Sequence, residues 1–191
     1  MNGGSEVIRD GRRWAATLRA TVAPMTEPRP LSHLDAHGHA RMVDVGAKPP
    51  IVRRATACGD FVARRETLDR LFAGQLPKGE ALGTARIAGI LAAKRCDELI
   101  PLCHTLPLDQ VGVEFERVAP DRLRITATAS TVARTGVEME ALVAVSTAAL
   151  TLWDMTKAVD DSLRIDAIRL LEKRKASVGA SLGDDAEEPT A

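Results

Sequence analysis

The feature that most constrains the fold is a pair of alternating runs, QVGVEFERV over 110–118 and RLRITATAS over 122–130, separated only by Ala119, Pro120 and Asp121. Apolar and polar side chains alternate with the period of a strand that has one face on a core. Three intervening residues that include Pro and Asp make a tight turn. The two runs therefore predict an antiparallel hairpin. A lone two-stranded ribbon is marginal in water, so other segments must cover its apolar face.

The flanking segments supply that cover. RRATACGDFVAR alternates as a strand, and RETLDRLFA over 65–73 has helical spacing until Gly74 stops it. A second helix fits 81–96 (ALGTARIAGILAAKRC), rich in Ala, Ile and Leu. The longest helix fits 138–159, where Thr135-x-x-Glu138 has the form of a capping box, and LRIDAIRLL over 163–171 reads as a last strand. The order strand, helices, two strands, helix, strand predicts an α+β fold, a ferredoxin-like βαββαβ sandwich with an antiparallel sheet and helices packed on one face. No internal repeat is visible.

A length of 191 residues predicts one domain with tails: a disordered extension over 1–30, a core over 31–175, and an acidic disordered tail over 176–191. Hydrophobic residues at 45% and charged ones at 27% suit a globular chain with a real core. The 26 Lys and Arg cancel the 26 Asp and Glu, so net charge draws the chain neither to nucleic acid nor to an anionic membrane. Any anion site must be local. Aromatics at 3%, with no Tyr, leave few platforms for stacking bases. Cys58, Cys96 and Cys103 are an odd number without a CxxC pair, which predicts free thiols and a cytoplasmic protein. The longest charge-free stretch, Ala141 to Trp153, is shorter than the ~18 residues a membrane span needs.

Four segments look chemical. LIPLCH over 99–104 falls in the loop before the hairpin, where a scaffold presents functional side chains, although its apolar residues also suit simple burial. Cys103 beside His104 suggests a thiol nucleophile only weakly, since adjacent residues rarely make the required hydrogen bond. Glu138 and Glu140 stand near the positive end of the long helix, a favourable place for carboxylates in any helix. If the chain is still extended there, the two point the same way and form a polar wall. Asp154 and Lys157, three apart on one helix face, are either a surface pair or, because the surrounding helix is almost wholly apolar, a desolvated acid/base pair. Lys78 in LPKGE sits in a loop where a lysine is ordinarily solvated. His33, Asp35, His37 and His39 have ligand-type side chains but precede any firm structure and have no cysteine with them, and no metal site is expected.

Together these stretches carry a resemblance. From Leu31 to Lys173, about three quarters of the chain, LSHLDAHGHARMVDVGAK, LPKGEALGTARIAGILAAKRCDELIPLCH, TGVEMEALVAVSTAALTLWDMTKAVD and IRLLEK follow in an order that resembles the cyclic pyranopterin monophosphate synthase (MoaC) family of molybdenum-cofactor biosynthesis. The resemblance implies a homohexamer, a trimer of dimers with active sites at the dimer interface. It implies conversion of 3',8-cyclo-7,8-dihydro-GTP to cyclic pyranopterin monophosphate with release of pyrophosphate. Asp154 and Lys157 match the catalytic acid/base pair, and Lys78 the second catalytic lysine. Leu102, Cys103, His104, Met139 and Glu140 match substrate-binding segments, and Glu138, Lys48 and Lys173 match further polar residues of the pocket. No resident cofactor is expected, and whether magnesium accompanies the triphosphate is left open by the sequence. No nucleic-acid or membrane partner is expected. The runner-up is a non-catalytic module that binds a phosphorylated ligand.

Two departures stand out. After IRLLEK the family continues with a glycine-rich, lysine-containing stretch, whereas here the chain reads Arg174-Lys175-Ala176-Ser177-Val178-Gly179. Thr105 replaces the proline that follows the family's histidine, which predicts a less rigid loop around His104.

One more expectation comes from helix geometry. Glu140 and Asp154 lie fourteen residues apart in the sequence, so one continuous helix holds them ~21 Å apart at ~1.5 Å per residue.

Overall fold

The computed structural model describes residues 37–179. The expected extension over 1–30, with His33 and Asp35 and most of the acidic tail, lies outside the described residues. Eight elements follow in order: β1 (Ile51–Val62), α1 (Arg65–Phe72), α2 (Ala81–Ala93), α3 (Cys96–Leu99), β2 (Gln110–Ala119), β3 (Arg122–Ala133), α4 (Glu138–Thr156) and β4 (Arg164–Ala176). The strands form one antiparallel sheet in the order β2-β3-β1-β4. With its helices on one face, it is the expected α+β sandwich.

The predicted hairpin is β2 and β3, closed by Pro120 and Asp121 with Ala119 opposite Arg122. Along β3 the period-two pattern reads directly as faces. Leu123, Ile125, Ala127, Ala129 and Thr131 are buried under the helices, while Arg122, Arg124, Thr126 and Thr128 alternate with them toward the other side. Strand β1 continues the pattern, with Ala57 opposite Ala127 and Gly59 opposite Ile125. On the far face Asp60, 2% exposed, takes Arg124 at 2.7 Å and Arg122 at 3.5 Å. A buried carboxylate needs such partners.

Helix α4 lies across the sheet and α2 lies against α4. Both approaches are set by missing side chains. A Cβ on Gly59 would come within 2.9 Å of Val145, and one on Gly89 within 2.8 Å of the Ala144 carbonyl oxygen. The core between them is dominated by Ala55, Ala57, Ala85, Ala127, Ala144 and Ala148.

Several element ends differ from expectation. The helix foreseen over 81–96 stops at Ala93, and after Lys94 and Arg95 the chain restarts as α3. Helix α4 ends at Thr156, not Val159, with the Thr156 hydroxyl donating back to the Leu152 carbonyl at 2.7 Å and the amides of Val159 and Asp160 closing on the Thr156 carbonyl. The last strand runs to Ala176, not Leu171, because Arg53 and Arg54 of β1 pair with Lys175 and Arg174. The capping box does not form. Val137 is the N-cap of α4 and receives no side-chain cap, and Glu138 instead folds back over Gly136 and pairs with Lys173 at 3.3 Å. A side-chain cap appears where none was expected, at α2, where both carboxylate oxygens of Glu80 accept from the Gly83 amide at 2.8 and 2.7 Å.

Candidate active site

Two clusters of the expected residues form, at opposite ends of α4. At its C-terminal end Asp154 lies between two lysines. Lys78, from the loop between α1 and α2, donates to Asp154 Oδ2 at 2.6 Å and to the Asp154 carbonyl at 2.9 Å. Lys157 reaches Oδ1 at 2.7 Å. Seventy-six residues separate Lys78 from Asp154, yet the packing of α2 on α4 carries its loop there. The hydrogen bond from Lys157 first, and then that from Lys78, hold the Asp154 carboxyl down at about 2, so it is an anion at any neutral pH. An anion with an ammonium on each side keeps both lysines aimed at one place, which suits handing protons to and from a substrate.

Of the two readings of the Asp154–Lys157 pair, the single chain has the exposed one. Asp154, Lys157 and Lys78 are not desolvated in the single chain: their side chains are 55, 57 and 41% exposed. The apolar residues of α4 that face the sheet are buried, but Asp154 and Lys157 point away from it at the last turn, beside Trp153 at 37%.

At the N-terminal end the loop after α3 delivers His104. The ring Nε2 lies 2.8 Å from the Val43 carbonyl, so Nε2 is the donor of that bond. The Thr105 hydroxyl donates to Asp97 Oδ2 at 2.6 Å, a contact between this loop and the first turn of α3. Within that span the Ile100 amide bonds the Cys96 carbonyl and the Cys103 amide bonds the Ile100 carbonyl. Leu102 and Met139 are exposed, Cys103 is half-buried, and all three cysteines are free. Burial raises the Cys103 thiol, which is the wrong direction for a thiolate nucleophile.

Glu138 and Glu140 do not point the same way, since the helix begins at Glu138 and two residues on a helix diverge. Glu138 is half-buried against Lys173. Glu140 is buried, at 4% exposure, and its Oε2 has no hydrogen-bond partner among the described residues. Burial, assisted by the negative charges of Glu138 and Asp97, raises its carboxyl. Lys48 is exposed in the turn before β1, where its amide bonds the Val45 carbonyl. His37 and His39 are exposed, and the described residues contain no group of three His, Cys, Asp or Glu able to hold a metal ion. No described helix is long and apolar enough to cross a membrane.

The two clusters are not brought together within one chain. α4 runs unbroken from Glu138 to Thr156, so the separation of ~21 Å between Glu140 and Asp154 stands. Sequence reasoning missed Asp97, Val43 and Arg53, whose guanidinium Nε is buried without a hydrogen bond at the head of β1. Asp97 and Val43 act through contacts that no spacing announces.

The family model described as MoaC family matches residues 42–176. The chain belongs to the MoaC family. Curated MoaC-type relatives named cyclic pyranopterin monophosphate synthase include one from Roseiflexus sp. (strain RS-1), 56% identical over 155 residues, covering 81% of this chain and 98% of the relative. One from Novosphingobium aromaticivorans is 56% identical over 149 residues, 78% of this chain and 94% of its own. A cyclic pyranopterin monophosphate synthase 3 from Mycobacterium tuberculosis is 54% identical over 157 residues, covering 82% and 89%. The MoaC match spans every element from β1 to β4, and with them both clusters.

Proposed function

We propose that this MoaC-family chain is a lyase, a cyclic pyranopterin monophosphate synthase of molybdenum-cofactor biosynthesis that converts 3',8-cyclo-7,8-dihydro-GTP to cyclic pyranopterin monophosphate and releases pyrophosphate. The observation that carries this reading is the Lys78–Asp154–Lys157 arrangement, in which one carboxylate orients two lysines from distant parts of the chain. Rebuilding a purine into a pterin moves several protons, and the two lysines are the donors and acceptors, with Asp154 as their fixed counter-ion. Closing the cyclic phosphate forms a new oxygen–phosphorus bond at the α-phosphate as pyrophosphate leaves. An ammonium beside the leaving oxygens stabilises the charge that builds there.

Glu140, His104 and Met139, with Leu102 and Cys103, form the base-recognising end. The unpartnered Glu140 oxygen is available for a ring or amino N–H of the substrate. Lys173, Glu138 and Lys48 are polar residues of the same end. The substrate brings magnesium on its triphosphate, and no resident cofactor is required.

The active unit in this reading is a homo-oligomer, a trimer of dimers, in which the C-terminal end of α4 from one subunit meets the N-terminal end of α4 from its neighbour. Support comes from the apolar side chains that α2, α3 and α4 leave uncovered: Ile87 and Leu150 at 61%, Leu99 at 56% and Leu91 at 52%. Such a partner also removes Asp154 and its lysines from water. Free thiols fit the cytoplasm as its location.

The test offers purified protein the cyclised GTP and follows pyrophosphate and pterin together. Both form in equal amounts if the reading is right. Lys157→Ala abolishes turnover with the fold intact by circular dichroism. Near-normal turnover by that variant sinks the acid/base assignment, and binding without any turnover by the wild type favours a non-catalytic ligand-binding module.

A further inference from the structure

Asp160, three residues beyond Lys157, is 2% exposed and carries a carboxylate that neither cluster uses. Its Oδ2 accepts from the Arg64 amide and from the Thr67 hydroxyl, both at 2.8 Å. Its Oδ1 accepts from the Ser162 amide at 2.9 Å and from the Ser162 hydroxyl at 2.7 Å. The Arg64 guanidinium adds Nε at 3.3 Å from Oδ1 and donates through Nη2 to the Val159 carbonyl at 2.8 Å. Burial alone would raise this carboxyl, but the bonds from Ser162, Arg64 and Thr67 outweigh it and hold it at about 2, an anion at neutral pH.

Those partners come from two distant parts of the chain. Arg64, the N-cap of α1, offers no side-chain cap of its own, and Asp160, 96 residues later, accepts from its amide and from Thr67 in the first turn. On the other side Asp160 ends α4. Its amide and that of Val159 close on the Thr156 carbonyl, so Lys157, the C-cap residue, stands between a finished helix and a turn anchored at Asp160. Helix α1 leads in turn to the loop of Lys78. The Gln75 amide bonds the Arg70 carbonyl, the Arg70 side chain bonds the Gln75 carbonyl, and buried Leu76 opens the turn that the Gly79 amide closes. Exposed ion pairs such as those of Asp154 are individually weak, so the backbone beneath them has to do the placing.

We propose that Asp160 is a positioning residue of the active site, a buried clamp that locks the turn after α4 to the start of α1 and so holds Lys157 and Lys78 on either side of Asp154. It touches no substrate and moves no proton. The proposal rests on the proposed reaction for its consequence in turnover, whereas the clamp itself can be read in the protein without substrate.

The test uses the full chain with labelled aspartate carbons, followed by NMR below the melting temperature of each variant. Asp160→Asn keeps the volume but turns an N–H toward donors that now lack an acceptor. In the folded variant the Asp154 carboxyl rises from about 2 toward the ordinary ~3.9, because its lysines are no longer held against it. With the cyclised GTP, kcat falls about tenfold or more while KM changes little, the scale expected when reacting groups shift by about 1 Å. If Asp160→Asn does not fold, the double variant Thr67→Val, Ser162→Ala decides, since it removes both hydroxyl donors and leaves the carboxylate and its amide partners in place; both effects are then smaller and in the same direction. A folded variant whose Asp154 carboxyl stays at about 2 overturns the proposal whatever kcat does, and leaves Asp160 a stabiliser of the fold alone. A displaced Asp154 carboxyl with kcat unchanged overturns it too. A displaced carboxyl in a protein whose wild type does not turn over the cyclised GTP keeps the clamp and overturns the reaction.

Discussion

Glu140 and Asp154 offer a test of where one active site ends and the next begins. Each must come within hydrogen-bond reach, ~3 Å, of one small substrate to act on it. The unbroken α4 holds them ~21 Å apart in a single chain. A two-fold interface that sets one α4 antiparallel to its neighbour brings Asp154 of each subunit toward Glu140 of the other and yields two shared sites per dimer. Glu140→Ala and Asp154→Ala are then each inactive alone. When the two are unfolded together and refolded at equal amounts, random pairing makes about half of the dimers mixed, and each mixed dimer has one site carrying both lesions and one carrying neither. About a quarter of wild-type activity therefore returns, and a threefold excess of either variant lowers that share. The assay is pyrophosphate release, with differently tagged variants co-purified to prove that mixed oligomers formed. Proven mixed oligomers without restored activity refute the shared site and leave Glu140 as a buried carboxylate at a helix start.

Other outcomes follow from single contacts. The carboxyl of Asp154, held at about 2 by Lys157 and Lys78, moves back toward the ordinary value near ~3.9 in Lys78→Ala and further in the double alanine variant, read by carbon NMR of the labelled side chain. Glu140 shifts the other way. Its folded carboxyl is raised by burial, so the folded state holds a proton that the unfolded state has released, and stability falls as pH rises through that window. Glu140→Gln should therefore melt higher than wild type at neutral pH, with the gain vanishing below ~4, where both states are protonated. A gain that persists unchanged in acid contradicts that origin. Gly89→Ala gains up to ~1 kcal/mol of helix propensity but forces a methyl against the Ala144 carbonyl, a backbone atom that cannot swing aside. Overpacking at ~1–3 kcal/mol wins, and the variant unfolds at lower urea.

Much of this fold could be read in advance because its strands obey the two-residue period: one face of β3 is apolar and the other polar, and the Pro-Asp turn admits one register. The helix ends could not. Whether α4 starts with a Thr135 cap or with Glu138 turned to Lys173 depends on β4 reaching Lys173, a contact thirty-five residues away. The same dependence hid the divergence of Glu138 and Glu140. In the candidate site, Asp154 and Lys157 are visible as neighbours on one helix, whereas Lys78 enters only through the packing of α2, and without the family resemblance it reads as an ordinary loop lysine. Proline stiffens a loop through its ring, but the Thr105 hydroxyl bonded to Asp97 ties the same loop by a different means.

The core of small side chains also decides which changes this protein can absorb. Ala57, Ala85, Ala127, Ala144, Ala148 and Ala149 have no more than 1% exposure, and the layers come together through them because nothing larger intervenes. A conventional truncation scan is blind to such a zone, since these positions already carry a single methyl. Its sensitivity lies in the opposite direction. Each added carbon at the α2–α4–sheet junction wedges apart helices whose spacing brings Lys78 to Asp154, so a library of enlargements should lose turnover before it loses secondary structure. In a deep mutational map the helix crossing would stand out as a band intolerant of bulk, although no residue in it touches the substrate.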